Sequence, residues 1–134
     1  MFVIDASVAM TWCFEDEASR KADAVLDRLR DEEAVVPAIW PLEVANVLLV
    51  AERRGRLSEA KANRFLELLS QLPIDVDSSP TDVPGTVAAG RRHGLTSCDA
   101  SYLVLAERLG ASLATLDQPL AKAARSAGVQ LVIK

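Results

Sequence analysis

The chain has 134 residues, half of them apolar and a quarter charged, and a formal net charge of -4; this suits one compact domain over 1–134 and excludes disordered and fibrous classes. The acidic balance argues against general attraction to nucleic acid, which depends on Lys and Arg neutralising phosphates, so any nucleic-acid role must come from a local feature. No stretch approaches the roughly 18 apolar residues of a membrane span, and Asp5 breaks the N-terminal apolar run before it can act as a signal peptide, so a cytoplasmic protein with no membrane partner is expected.

In chain order the first predicted element is a strand, "FVI" (2–4), followed by helical sequence in "EDEASRKADAVLDRLR" (15–30) and a strand in "AVVP" (34–37). Two helices follow in "PLEVANVLLVAERRG" (41–55) and "SEAKANRFLELL" (58–69), then a strand in "PIDV" (73–76). The segment from Asp77 to Gly85, which carries Pro80 and Pro84, reads as a loop leading into a helix that ends at "GRRHG" (90–94). The chain closes with a helix in "SCDASYLVLAERLG" (97–110), a strand in "ASLATL" (111–116), a helix in "DQPLAKAARSAG" (117–128) and a strand in "VQLVI" (129–133). Gly55, Gly94, Gly110 and Gly128 stand where helices should end. Strands alternating with helices, joined by connections too long for hairpins, imply an α/β/α sandwich around a five-stranded, mainly parallel sheet.

Several chemistries lack their residues. The one histidine, His93, sits in "RRHG" and reads as a cation at a helix end, which leaves a Ser-His-Asp or Cys-His site without support. There is no G-x-G-x-x-G or Walker lysine motif, and two scattered cysteines with one histidine cannot build a zinc site. Cys13 and Cys98 read as reduced, mostly buried thiols, a disulfide being the lesser reading. Trp12, Phe14 and Trp40 read as core or partner packing before base stacking.

Carboxylates remain. Asp5 ends the first strand and reads, taken alone, as the N-cap of a segment starting at Ala6 or Ser7. From Pro41 to Ala51 the polar side chains are Glu43 and Asn46, which share a helix face; a helix apolar nearly all round is buried, and a buried unpaired carboxylate is costly. Glu43 is equally a first-turn acid favoured by the helix dipole. Asp99 follows Thr96 and Ser97 as a first-turn acid beside a cap, and Asp117 precedes Gln118 and Pro119 as an N-cap before an early proline.

The combination points elsewhere. In an open parallel sheet, ligands bind beyond the carboxyl ends of the strands where the strand order reverses. If the first and fourth strands are neighbours there, Asp5 and Asp117 face one crevice that the starts of the helices carrying Glu43 and Asp99 can reach. Four carboxylates so gathered repel one another unless a cation intervenes, and oxygen-only ligands suit Mg²⁺ or Mn²⁺. Such ions activate water and stabilise charge during displacement at phosphorus.

These residues resemble the PIN-domain ribonucleases, most closely the VapC-type toxins of bacterial toxin-antitoxin pairs. The likeness runs through "VIDASV", "VPAIWPLEVANVL", "TSCDASYLVLAERLG" and "LATLDQPLAKAA". It implies that Asp5, Glu43, Asp99 and Asp117 are the catalytic and metal-binding acids, with Ser7, Asn46 and Thr115 in support. It also implies strand order 3-2-1-4-5, Mg²⁺- or Mn²⁺-dependent cleavage of RNA, a homodimer, and a small antitoxin protein as partner. The clusters "ERRGR" (52–56) and "RRH" (91–93), with Lys122 and Arg125, offer a path for the RNA backbone, with Arg53, Arg91, Arg92 and Lys122 as candidate contacts. The first two clusters are equally cations at helix C-termini before Gly, and solvated faces are charged anyway. Two further functions are open: an aspartate-nucleophile phosphatase of the haloacid-dehalogenase type, which would want an acid where Ser7 stands, and a non-catalytic RNA- or protein-binding module.

Overall fold

The computed structural model describes residues 1–17 and 19–133. Its sheet is built from β1 (Phe2–Ile4), β2 (Ala34–Val36), β3 (Ile74–Val76) and β4 (Ser112–Ala114) in the order β3-β2-β1-β4. All three ladders are parallel, with Val3 opposite Val35 on one side and Leu113 on the other. Phe2, Val3 and Ile4 are wholly buried, as a central parallel strand covered by helices requires. Each such side chain contributes about 1.5–3 kcal/mol of hydrophobic stabilisation.

The expected fifth strand is reduced to one parallel bridge, Leu113 to Leu131. The Leu113 N–H donates to the Gln130 carbonyl and its own carbonyl accepts from Val132, both at 2.9 Å. The reason lies in β4. A residue's N–H and C=O share one side of a parallel strand and alternate along it, and the Ala114 carbonyl is turned to the β1 side, where it accepts from Asp5 at 2.9 Å. A three-residue strand then has one residue, Leu113, to offer outward.

Between the strands run α1 (Ala6–Thr11), a 3₁₀ turn (Glu15–Glu17), α2 (Arg20–Arg28), α3 (Trp40–Arg53), α4 (Glu59–Ser70), α5 (Val83–His93), α6 (Ser97–Leu109) and α7 (Gln118–Ser126). The expected helical stretch 15–30 is therefore divided. Ser19 accepts the Ala22 N–H at 3.3 Å and starts a new helix, as a serine N-cap does. α6 packs against β1 and β4 with α5 and α7 beside it, and α1 packs against α2 and α3. Helix α5 begins at Val83, capped by Asp82, and ends at Gly94, whose φ of 66° closes it.

One expectation about α3 fails. Only the stripe Trp40, Val44, Leu48 and Ala51 is buried; the helix turns Leu42 and Leu49 to solvent at 67% and 49% exposure. The apolar sequence thus covers more of the helix than the core does. Phe14 and Trp40 are core residues, and Trp12 packs on the core with its indole N–H on the Ala22 carbonyl at 3.0 Å. Cys13 and Cys98 are free thiols, half-buried and not paired with each other. No described helix is long and apolar enough to cross a membrane.

Candidate active site

β1 and β4 are neighbours, and the strand order runs outward from β1 in both directions, so the order reverses at their carboxyl ends. There a cleft of about 500 Å³ opens, lined by Asp5, Ser7, Glu43, Asp99 and Asp117 among others. The four predicted acids come from four places: the end of β1, the first turn of α3, the first turn of α6 and the residue that caps α7. Local rules put each at a helix start, and the parallel sheet points those starts at one side of the molecule.

Asp5 occupies the N-cap position of α1, yet its side chain makes no capping bond, which corrects the capping alternative. It is 4% exposed and its Oδ2 instead accepts two hydroxyls, Ser7 Oγ and Thr115 Oγ1, each at 2.7 Å. Each hydroxyl is itself aimed from behind. Ser7 Oγ accepts the Leu116 N–H at 3.1 Å, and Thr115 Oγ1 accepts the Asp117 N–H at 3.0 Å. A hydroxyl carries one proton, so each gives that proton to Asp5 while the backbone of the β4–α7 connection fills its acceptor side. The arrangement supports an ionised Asp5 through Oδ2, and Oδ1 takes neither hydroxyl.

The other acids are held differently. Glu43 is half-buried and accepts the Tyr102 hydroxyl in a short hydrogen bond. Asp99 donates its backbone N–H to the Thr96 side chain, the N-cap of α6, at 3.2 Å. Asp117 does cap α7, accepting the Leu120 N–H at 3.0 Å through Oδ2, so for Asp117 the capping and cleft readings hold together.

Electrostatics tie the acids together. Burial raises the Asp5 carboxyl above the usual range, the Thr115 and Ser7 hydroxyls and the nearby Ser7 backbone N–H pull it back, and Asp117 pushes it up again. Burial likewise raises Glu43, with the Tyr102 bond opposing and Asp5 and Asp99 adding to it. Burial raises Asp99, reinforced by Asp117 and Asp5 and opposed by the Thr96 hydroxyl. Tyr102 is pushed far above its ordinary value by burial and by Glu43, so it is a fixed donor at every working pH. A set of carboxylates desolvated and facing one another is chemically suited to a hard divalent cation. Among the described residues, no three of them stand close enough to make a ready coordination sphere.

Not every predicted residue reaches the cleft. Asn46 is exposed and lies outside its lining, because the face of α3 that meets the cleft is Glu43 and Val47, four residues apart. Arg53 is exposed on the last turn of α3, and the cation of its cluster that lines the cleft is Arg56. Arg92 and Lys122 line a separate concavity with His93, and Arg91 lies outside it. Tyr102 was missed as a site residue, although it had a signal: it lies three residues after Asp99, on the same helical face. Arg56 was flagged as part of the cluster 52–56 but not singled out, since its approach to the cleft depends on the fold.

Residues 2–126 match the PIN domain family. The chain is 34% identical over 122 residues to Ribonuclease VapC3 of Pyrobaculum aerophilum, covering 90% of this chain and 92% of the relative. It is also 34% identical over 125 residues to Ribonuclease VapC3 of Mycobacterium tuberculosis, covering 93% and 88%. Among solved structures, a Pyrobaculum aerophilum protein superposes with a TM-score of 0.71 at 25% identity, over 91% of this chain and 83% of that one. FitAcB from Neisseria gonorrhoeae shares the fold at a TM-score of 0.66 and 22% identity, over 98% and 96%. By the family match and these relatives, the chain belongs to the PIN-domain family.

Proposed function

We propose that this single-domain protein is a metal-dependent endoribonuclease and the toxin of a toxin-antitoxin pair, working in the cytoplasm as a homodimer held in check by a small antitoxin protein. The observation that carries the reading is the convergence of Asp5, Glu43, Asp99 and Asp117 from four elements on one cleft at the strand-order reversal. The relatives are ribonucleases by name, and neither the aspartate-nucleophile phosphatase nor the non-catalytic module is favoured.

PIN-domain ribonucleases are generally dependent on a divalent metal. Mg²⁺ or Mn²⁺ is the ion proposed here, with Asp5, Asp99 and Asp117 as its ligands, directly or through water, and Glu43 completing the site. When bound, such an ion activates water and neutralises charge developing at phosphorus. The protein's own residues do the positioning. Ser7 and Thr115 orient Asp5 through Oδ2, and Tyr102 orients Glu43 through Oε1. Arg92 and Lys122, gathered in one concavity, are proposed to contact the RNA backbone beyond the cleft; Arg53 and Arg91 are exposed cations of the same kind.

The test is to map new RNA ends after adding Mg²⁺ or Mn²⁺ to the purified chain with total RNA. Asp5→Asn and Asp99→Asn should abolish cleavage while circular dichroism remains that of the wild type. Cleavage that persists in Asp5→Asn refutes the assignment. Growth arrest on expression, relieved by a co-expressed neighbouring gene product, tests the toxin role.

A further inference from the structure

Arg56 is the one cation lining the acidic cleft among the described residues, a cleft it shares with Asp5, Glu17, Glu43, Asp99 and Asp117. Its backbone is fixed by the turn that ends α3: Gly55, at φ 70°, donates to the Glu52 carbonyl at 3.1 Å, and Arg56 donates to the Ala51 carbonyl at 2.9 Å. These are the paired bonds of a Schellman cap. The side chain then crosses to the 3₁₀ turn, where the guanidinium stacks 4.2 Å from the centre of the Phe14 ring. Nη2 carries every ionic contact, to Asp16 at 3.0 and 3.1 Å and to Glu17 at 3.5 Å. Nε and Nη1 have no partner among the described residues. A guanidinium immobilised by a ring on one face and by carboxylates at one nitrogen presents the rest of its planar fork, a shape matched to the oxygens of a phosphate.

We propose that Arg56 binds a backbone phosphate of single-stranded RNA at the rim of the cleft, with Asp16 and Glu17 holding it in place and competing with that phosphate. The proposal rests on the ribonuclease reading for its ligand. An RNA strand approaching carboxylates is repelled, and Arg56 on the lining of the same cleft supplies positive charge to offset that repulsion. Asp16 and Glu17 have side-chain exposures of 71% and 45%, so water takes over their charges readily when the guanidinium turns to phosphate.

The test is fluorescence anisotropy of a single-stranded RNA oligomer in EDTA, across a salt series, on the full chain. Arg56→Gln should weaken binding by about 5- to 10-fold and reduce the slope of log K against log salt by about 0.7, the loss of one phosphate contact. Arg30→Gln, which removes an exposed cation of the turn after α2, should leave both near wild type. Arg56→Lys keeps the charge and should recover the slope but only part of the affinity. Asp16→Asn should tighten binding, and should add nothing when Arg56 is already Gln. A purely structural Arg56 predicts a lower melting temperature with an unchanged slope, and that result overturns the proposal, as does an equal effect of Arg30→Gln. If wild type binds RNA but does not cut it with Mg²⁺ or Mn²⁺, the nuclease reading falls and the salt slope still decides Arg56; if it cuts RNA with Mg²⁺ or Mn²⁺ but binds none in EDTA, the Arg56 proposal falls alone.

Discussion

Thr115→Val is the sharpest test of how Asp5 is held. The substitution keeps shape and removes one hydroxyl, which donates to Asp5 Oδ2 at 2.7 Å and accepts the Asp117 N–H at 3.0 Å in a site where Thr115 is 4% exposed. A hydrogen bond to a charged group contributes about 1.5–3 kcal/mol and a neutral one about 0.5–1.5. With the Asp117 N–H also left without its acceptor, the expected loss is about 2–3 kcal/mol when Asp5 is ionised. At roughly 3–4 °C per kcal/mol for a chain of this size, the melting temperature falls by about 6–12 °C. The Thr115 bond favours the charged form of Asp5, so its contribution is present above the raised Asp5 pKa and diminishes as pH falls through it. Urea unfolding of wild type and variant, without divalent ions, should therefore show the full difference at pH 8 and about 1 kcal/mol near pH 3.5. A difference that is equal at the two pH values, or below about 0.5 kcal/mol at pH 8, refutes the argument that this hydroxyl supports an ionised Asp5.

The raised carboxyls of Asp5, Glu43 and Asp99 mean that the folded chain binds more protons than the unfolded one between their ordinary and raised values. Their share of stability therefore falls as pH rises through that window. Asp99→Asn removes one share, so its stability should decline less steeply with pH than wild type in metal-free urea titrations; a steeper decline contradicts the picture. Mn²⁺ above the window should raise the wild-type melting temperature and raise that of Asp99→Asn less, as read by differential scanning fluorimetry. Tyr102→Phe deletes the donor to Glu43 and should cost about 1 kcal/mol, limited because Glu43 is half-buried and water can replace the hydroxyl. Leu103→Ala, in a side chain with no exposure, should cost about 2–5 kcal/mol by equilibrium unfolding.

Much of the architecture was legible along the chain because it rests on local chemistry. The buried strand "FVI", the capping residues Thr96 and Asp117, and the glycine that ends α6 each follow from what neighbouring residues allow. The four acids were legible for the same reason: each stands at a strand end or helix start, and a parallel sheet sends all such ends to one side. Periodicity failed where it measured composition and not cover. The apolar run in α3 read as buried all round, but a helix on the outside of one sheet has a core on one face, and Leu42 and Leu49 lie on the other. The fifth strand failed because a short β4 had one outward residue to pair with.

The amino-acid sequence alone determined which residues are acidic and which local position each takes. Only the tertiary structure decided how they are held: Asp5 is separated by 110 residues from Thr115, Glu43 by 59 from Tyr102, and Arg56 by 40 from Asp16. Such partners obey no helical or strand period, since they meet through the stacking of elements. Asn46 shares a helix with Glu43 and stays outside the cleft, whereas Tyr102 comes from another helix and touches Glu43. Sequence spacing selects candidates for a face, and packing settles which face meets the site.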